Sequence, residues 1–142
     1  MTAGFVHDLF LYADEDDFLA GTVPFVRGGL AAGEPVLVAV GAAKIGLLRD
    51  TLGDDADAVG FADMGEIGRN PAHIIPVWRQ FVNQHASPRR RLRGIGEPVW
   101  PGRRPAELAE CHRHETLLNV AFGDGPAWSL LCPYDAGALD AA

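Results

Sequence analysis

FVHDLFLYADEDDFLAGTVPFVRGGLAAGEPVLVAVG, residues 5–41, sets two apolar runs on either side of a helical face, and that order decides the fold. Phe5–Tyr12 is built of β-formers interrupted only by His7 and Asp8, which reads as a strand. Asp14 stands where a helix cap would, and Asp16 and Asp17 put negative charge in the first turn, where the helix dipole favours it. Phe18, Leu19, Val23, Phe25, Val26 and Leu30 supply a helical apolar face, which Pro24 is expected to kink and Gly33 to end. Pro35–Val40 is short and wholly apolar, as in a strand covered on both faces. Strand, helix, strand in this order is the unit of a parallel sheet.

The rest of the chain repeats the alternation. Residues 42–52 read as a second helix and Ala58–Ala62 as a third strand. Asn70-Pro71 pairs a capping side chain with proline at the first helical position. The helix it opens carries Ile74, Ile75, Val77, Trp78, Phe81 and Val82 and ends near His85, with Pro76 in its second turn and an irregular first turn. Leu92–Ile95 follows as a fourth strand, Pro105 to about Phe122 as the longest helix, and Ala127–Cys132 as a fifth strand. The expectation is an α/β domain spanning residues 1–142, with a mostly parallel five-stranded sheet and helices on both faces.

Composition excludes several classes. With 142 residues, 48% hydrophobic and 22% charged, the chain can bury one core and is not disordered. A net charge of -7 would repel a phosphate backbone, which excludes a general nucleic-acid binder. No apolar run is long enough to cross a bilayer, and the acidic start is unlike a secretory signal. Two cysteines, Cys111 and Cys132, are too few for a disulfide framework, so a cytoplasmic protein with reduced thiols is expected. Charge is also unevenly spread: the first half is acidic, and Arg89, Arg90, Arg91 and Arg93 form a basic run. That run reads as a solvated loop or as a docking surface for an acidic partner.

In such sheets ligands sit beyond the carboxyl ends of the strands. The fourth and fifth ends, Gly96-Glu97-Pro98-Val99-Trp100 and Pro133-Tyr134-Asp135, join carboxylates and aromatics on stiffened backbone, as a pocket would. Each alone could be a turn; two converging on one rim suggest a site. Leu108, Cys111, Glu115, Leu118 and Phe122 fall on one helical face, so Glu115 interrupts an apolar stripe and needs a partner. His114 adjoins this face and Asn119 lies one turn on. Glu115 fits a supporting role behind Glu97 or Trp100 as well as a ligand contact. No metal is expected: His7, Cys111, His112, His114, Glu115 and Cys132 lack ligand spacing. No Gly-x-Ser-x-Gly elbow is present, and Cys132 near His7 or His114 fits a small core residue better than a thiolate pair.

Several segments together resemble the MEDS sensory domain (methanogen/methylotroph sensory domain) of actinobacterial signalling proteins: Phe18–Val40, GRNPAH at 68–73, GEPVWPG at 96–102, CHRHETLLN at 111–119 and CPYD at 132–135. The likeness covers nearly the whole chain. His7, Tyr12, Asn70, Pro71, Glu97, Pro98, Trp100, His114, Glu115, Asn119, Pro133, Tyr134 and Asp135 match the family pattern, whereas His73 stands where related sequences often have arginine. The resemblance implies a RecA- or KaiC-like fold with a degenerate P-loop, and an output module such as an anti-sigma-factor kinase or a transcription regulator, fused or separate. The residues support the degeneracy. Tyr12-Ala13-Asp14-Glu15-Asp16-Asp17 has four carboxylates and neither glycine nor lysine, and Lys44 follows the second strand without a Gly-Lys-Ser/Thr motif, so ATP hydrolysis is not expected.

The leading expectation is a non-catalytic, cofactor-free sensory domain that binds an unknown small molecule through His7, Tyr12, Glu97, Trp100, His114, Glu115, Asn119, Tyr134 and Asp135. Its partners would be that ligand and a signalling protein, with no nucleic acid and no membrane; a homodimer is compatible with the sequence. A protein-interaction module docking through the arginine run is the alternative, and a thiol- or metal-dependent enzyme the third.

Overall fold

The computed structural model describes residues 4–69, 73–87, 89–97, 121–122 and 126–135. Five strands, β1 Phe5–Tyr12, β2 Val36–Val40, β3 Gly60–Asp63, β4 Leu92–Gly96 and β5 Trp128–Asp135, form one sheet in the order β1-β5-β4-β2-β3. Every neighbouring pair is parallel. The helices are α1 Glu15–Ala31, α2 Ala42–Leu52, α3 Met64–Ile67 and α4 Ile74–His85. Alternate residues point to opposite faces, which sorts the core in two. One face buries Phe18, Val23 and Val26 of α1 and Leu48 and Leu52 of α2 against Val36, Val38, Val40 and Ile95. The other buries Ile74, Trp78, Phe81 and Val82 of α4, with Phe122, against Ala39, Leu92, Trp128, Leu130, Cys132 and Tyr134. Helices on both faces of a parallel sheet follow from the strand-helix alternation in the sequence.

Local chemistry explains the boundaries. Asp14 caps α1, its carboxylate accepting from the Asp17 amide at 2.8 Å. The helix continues through Pro24; Pro24 and Ala20 are both exposed, so the carbonyl left without an amide partner lies on the wet side. Gly33, at φ +71, turns the chain toward β2. A 3-10 turn at Gly53–Ala58 takes the residues before β3, so that strand starts at Gly60 rather than Ala58. Pro76 lies in the first turn of α4, not the second, where a missing amide costs no helical bond. The Asn70-Pro71 start and the helix from Pro105 lie outside the described residues, apart from Ala121–Phe122, which are helical.

The fifth strand is longer than expected. Pro133, Tyr134 and Asp135 continue it, opposite Phe10, Leu11 and Tyr12 of β1. Past Leu131 the strand pairs with β1 alone, which leaves Pro133 a side where no ladder bond is required. The basic run is partly structural as well. Arg91 donates to the carbonyls of Gly4 and Trp128 and to the Ser129 hydroxyl. Arg93 pairs with Glu34 at 2.6 Å and donates to the Phe25 carbonyl. Arg89 and Arg90 are exposed.

The Trp78 indole packs against β4, where a Cβ added at Gly94 would fall 2.5 Å from Cζ3. Gly94→Ala is therefore expected to cost ~1–3 kcal/mol through overpacking. Equilibrium urea unfolding checks it; no change would mean that the indole does not rest on the strand.

Candidate functional site

Chain direction locates the site. β1 and β2 lead into α1 and α2 on one face, and Phe122 packs on the other. β2 and β4 are neighbours, and Gly41 and Glu97 stand just past their carboxyl ends. Parallel sheets bind ligands beyond the carboxyl ends of their strands. A hollow of about 390 Å³ lies there, lined by Gly41, Ala42, Ala43, Lys44, Asp63, Gly65 and Glu97.

Lys44 and Glu97 line its floor, and the Tyr12 hydroxyl is hydrogen-bonded to both. Glu97, just past β4, is 2% exposed. The Tyr12 hydroxyl at the end of β1 donates to Glu97 Oε2, and Lys44 in the first turn of α2 donates to the Tyr12 oxygen. Lys44 Nζ also donates to Glu97 Oε1 at 2.7 Å, and it sits 4.8 Å from the Tyr12 ring centroid and 5.3 Å from that of Phe18. Each polar group thus has a partner, as burial at this depth requires.

Burial pushes the Glu97 carboxyl up from its ordinary value, and the Asp135 charge adds to this; hydrogen bonds from Lys44 and Tyr12 and the Lys44 charge oppose it. Burial also pushes the Tyr12 phenol well above its ordinary range, reinforced by the hydrogen bond and charge of Glu97 and by Asp135. A group whose folded pKa is raised gives stability below its unfolded pKa, near ~10 for tyrosine, that is lost as pH rises through the folded value. In a Tyr134→Phe protein, phenolate absorbance is therefore expected only together with alkaline unfolding. Ionisation of the folded protein at the ordinary tyrosine pH would show that the phenol is not held by Glu97.

The expected site residues divide. Tyr12, Glu97 and Asp135 gather at the carboxyl rim on the α1–α2 face, where Asp135 stands opposite Tyr12 in the strand register. His7 and Tyr134 lie on the α4 face instead: His7 Nε2 is 3.1 Å from Cys132 Sγ, and Tyr134 belongs to the α4-side core. The sheet separates them from Tyr12 because alternate strand residues face opposite ways. Trp100, His114, Glu115 and Asn119 lie outside the described residues. Lys44 was not among the expected site residues. The signal available for it was its place in the first turn after a fully apolar strand, the one lysine of the chain.

Within the floor the Tyr12 phenol and the Glu97 carboxylate are hydrogen-bonded to each other. Among the described residues no group of three or more His, Cys, Asp and Glu could hold a metal ion. None of the described helices is long and apolar enough to cross a membrane. A family model described as MEDS, the methanogen/methylotroph, DcmR sensory domain, matches residues 6–142. No curated protein and no solved structure matches the chain.

Proposed function

The chain belongs to the MEDS family of sensory domains, and we propose that it binds a small molecule in the hollow between β2 and β4 and passes that state to a signalling output without catalysis. The observation that carries this reading is the Tyr12–Lys44–Glu97 cluster. A buried carboxylate held by two donors from separate elements forms a pre-ordered polar floor under largely apolar small-residue walls. Because the floor joins β1, α2 and β4, a ligand pressing on it would couple three elements at once. The output, on this reading, is an anti-sigma-factor kinase or a transcription regulator in the cytoplasm, and homodimerisation belongs to the same proposal. A RecA- or KaiC-type ancestry fits the parallel sheet, with the acidic β1–α1 turn as the degenerate P-loop.

Native mass spectrometry of freshly purified protein tests the reading. A non-covalently bound small molecule supports it, and bare protein alone from every growth condition counts against it.

A docking module is the second reading, favoured by one observation. Exposed Arg89 and Arg90, with Arg91, line a hollow of about 640 Å³ at the amino ends of the strands. Arg91 and Arg93 are engaged internally, which reduces that surface and leaves ligand binding the better-supported function. A thiol-dependent activity has less support, since Cys132 is 1% exposed within the α4-side core.

A further inference from the structure

We infer that two copies of this chain join along the outer edge of β1, antiparallel about a two-fold axis at Phe10, so that one sheet runs through a homodimer. The inference deepens the homodimer part of the functional reading and rests on that part alone, not on ligand binding. Successive residues of a strand turn their N–H and C=O to alternate sides. The Gly4 carbonyl accepts from the Trp128 amide at 2.9 Å, and Phe5 is the register partner of Trp128. Val6, Asp8, Phe10 and Tyr12 therefore bond to β5, and Leu9 and Leu11 turn their N–H and C=O away from it. β1 is the last strand on its side of the sheet, and among the described residues nothing bonds those outward groups of Leu9 and Leu11. Their side chains, on the α4 face, are 66% and 65% exposed, the large apolar side chains most open to solvent among the described residues.

Sheet edges are ordinarily blunted by shortness, bulges, proline or charge. The opposite edge obeys this rule, since β3 is 4 residues long and ends on Asp63. β1 has 8 residues in unbroken register, with no proline, lysine or arginine, and so offers a template for another strand. Its pattern fits a second copy of itself. A two-fold at Phe10 sets Leu9 of each copy opposite Leu11 of the other, with their outward N–H and C=O groups exchanging hydrogen bonds. All the exposed leucines then meet in one patch across the joint, the self-matching that an isologous contact requires. Charge selects this register. Asp8, exposed on the other face, falls opposite Tyr12, which holds the two Asp8 carboxylates about 13 Å apart, beyond the screening length at physiological salt. A two-fold at Leu9 halves that separation, and one at Asp8 sets the carboxylates side by side. One at Leu11 brings Asp8 against Asp14 and leaves Leu9 facing only Ala13.

Sedimentation velocity and amide hydrogen exchange of the wild-type protein, each from roughly 10 µM to 1 mM, test the joint, with Leu9→Lys/Leu11→Lys alongside. The wild type is expected to pass from monomer toward twice that mass. Over the same range the Leu9 and Leu11 amides should slow about tenfold, while those of Val6, Asp8 and Phe10, bonded to β5 in either state, stay unchanged. The variant, which sets like charges opposite one another at exposed positions, should remain monomeric. A wild type that is monomeric throughout overturns the inference and the homodimer with it, and leaves the β2–β4 hollow as the ligand site. A dimer whose Leu9 and Leu11 amides exchange as fast as in dilute protein meets elsewhere, which overturns the interface and spares the homodimer. The exchange pattern decides the matter even where the variant fails to fold.

Discussion

Trp78→Ala is expected to lower the free energy of unfolding by ~4 kcal/mol, within the range for deleting a buried aromatic side chain. The indole is 1% exposed and fills the space between α4 and the sheet. Its ring centroid lies 5.5 Å from that of Trp128 and 6.2 Å from that of Phe81. Directly beneath it are Gly94 and Gly96, which have no side chains to move into the vacated volume. A site that cannot collapse keeps its cavity, and the cost of a truncation rises with the cavity left behind. Urea unfolding with an unchanged denaturant slope is the check. A loss below ~1 kcal/mol, in the range of ordinary substitutions, would mean that α4 is not packed on the sheet as described.

Lys44→Met is expected to cost ~3 kcal/mol at neutral pH, because it leaves a buried carboxylate without its cation. Methionine keeps an unbranched side chain of similar length, so the change reports on the ammonium, including its approach to the Tyr12 and Phe18 rings. The figure is at the low end for a broken buried pair, since the Lys44 side chain is 24% exposed and Glu97 only 2%. The pH dependence has a definite sign. The Glu97 pKa is already raised in the folded state, and losing the Lys44 charge and hydrogen bond removes two influences that lower it. A carboxyl group with a raised folded pKa gives stability below its unfolded value, ~4.3, that is lost as pH rises through the folded value. The variant should therefore approach the wild type in acid and diverge from it toward neutrality. Adding Glu97→Gln removes the stranded charge and should recover part of the loss at neutral pH. Urea unfolding of both proteins across this pH range decides the matter. A deficit that is constant with pH would show that Lys44 acts only by packing.

Much of the fold was legible in the sequence, and the reasons are specific. Phe5–Tyr12 and Pro35–Val40 are apolar runs with caps and glycine between them, and those signals are local. Asp14 and Gly33 act where chain-local chemistry says they should. The extent of β5 was not legible, because Pro133 normally argues against a strand; only the absence of β4 beside it makes the residue harmless. The loss of Arg91 and Arg93 from the basic run was equally hidden. Their acceptors, including the Gly4 carbonyl, the Phe25 carbonyl and Glu34, are distant in sequence.

The site was half legible for the same kind of reason. Tyr12, Glu97 and Asp135 stand at strand ends, and the rule that parallel sheets bind ligands there brings them together. The face on which a residue lies depends on strand parity and on where each strand ends. His7 and Tyr134 fall on the far face by that parity. Lys44 becomes prominent only once β2 is known to lie beside β4, since 53 positions separate it from Glu97.

The central claim is that the β2–β4 hollow is where this domain binds its small molecule. Ala43 lines that hollow from the exposed first turn of α2, so Ala43→Phe would fill the hollow without entering either core. Native mass spectra of wild type and Ala43→Phe, purified side by side and shown by circular dichroism to be equally folded, test the claim. It predicts a bound small molecule on the wild type and its loss from the variant. The same bound mass on both proteins would place the ligand elsewhere and contradict it.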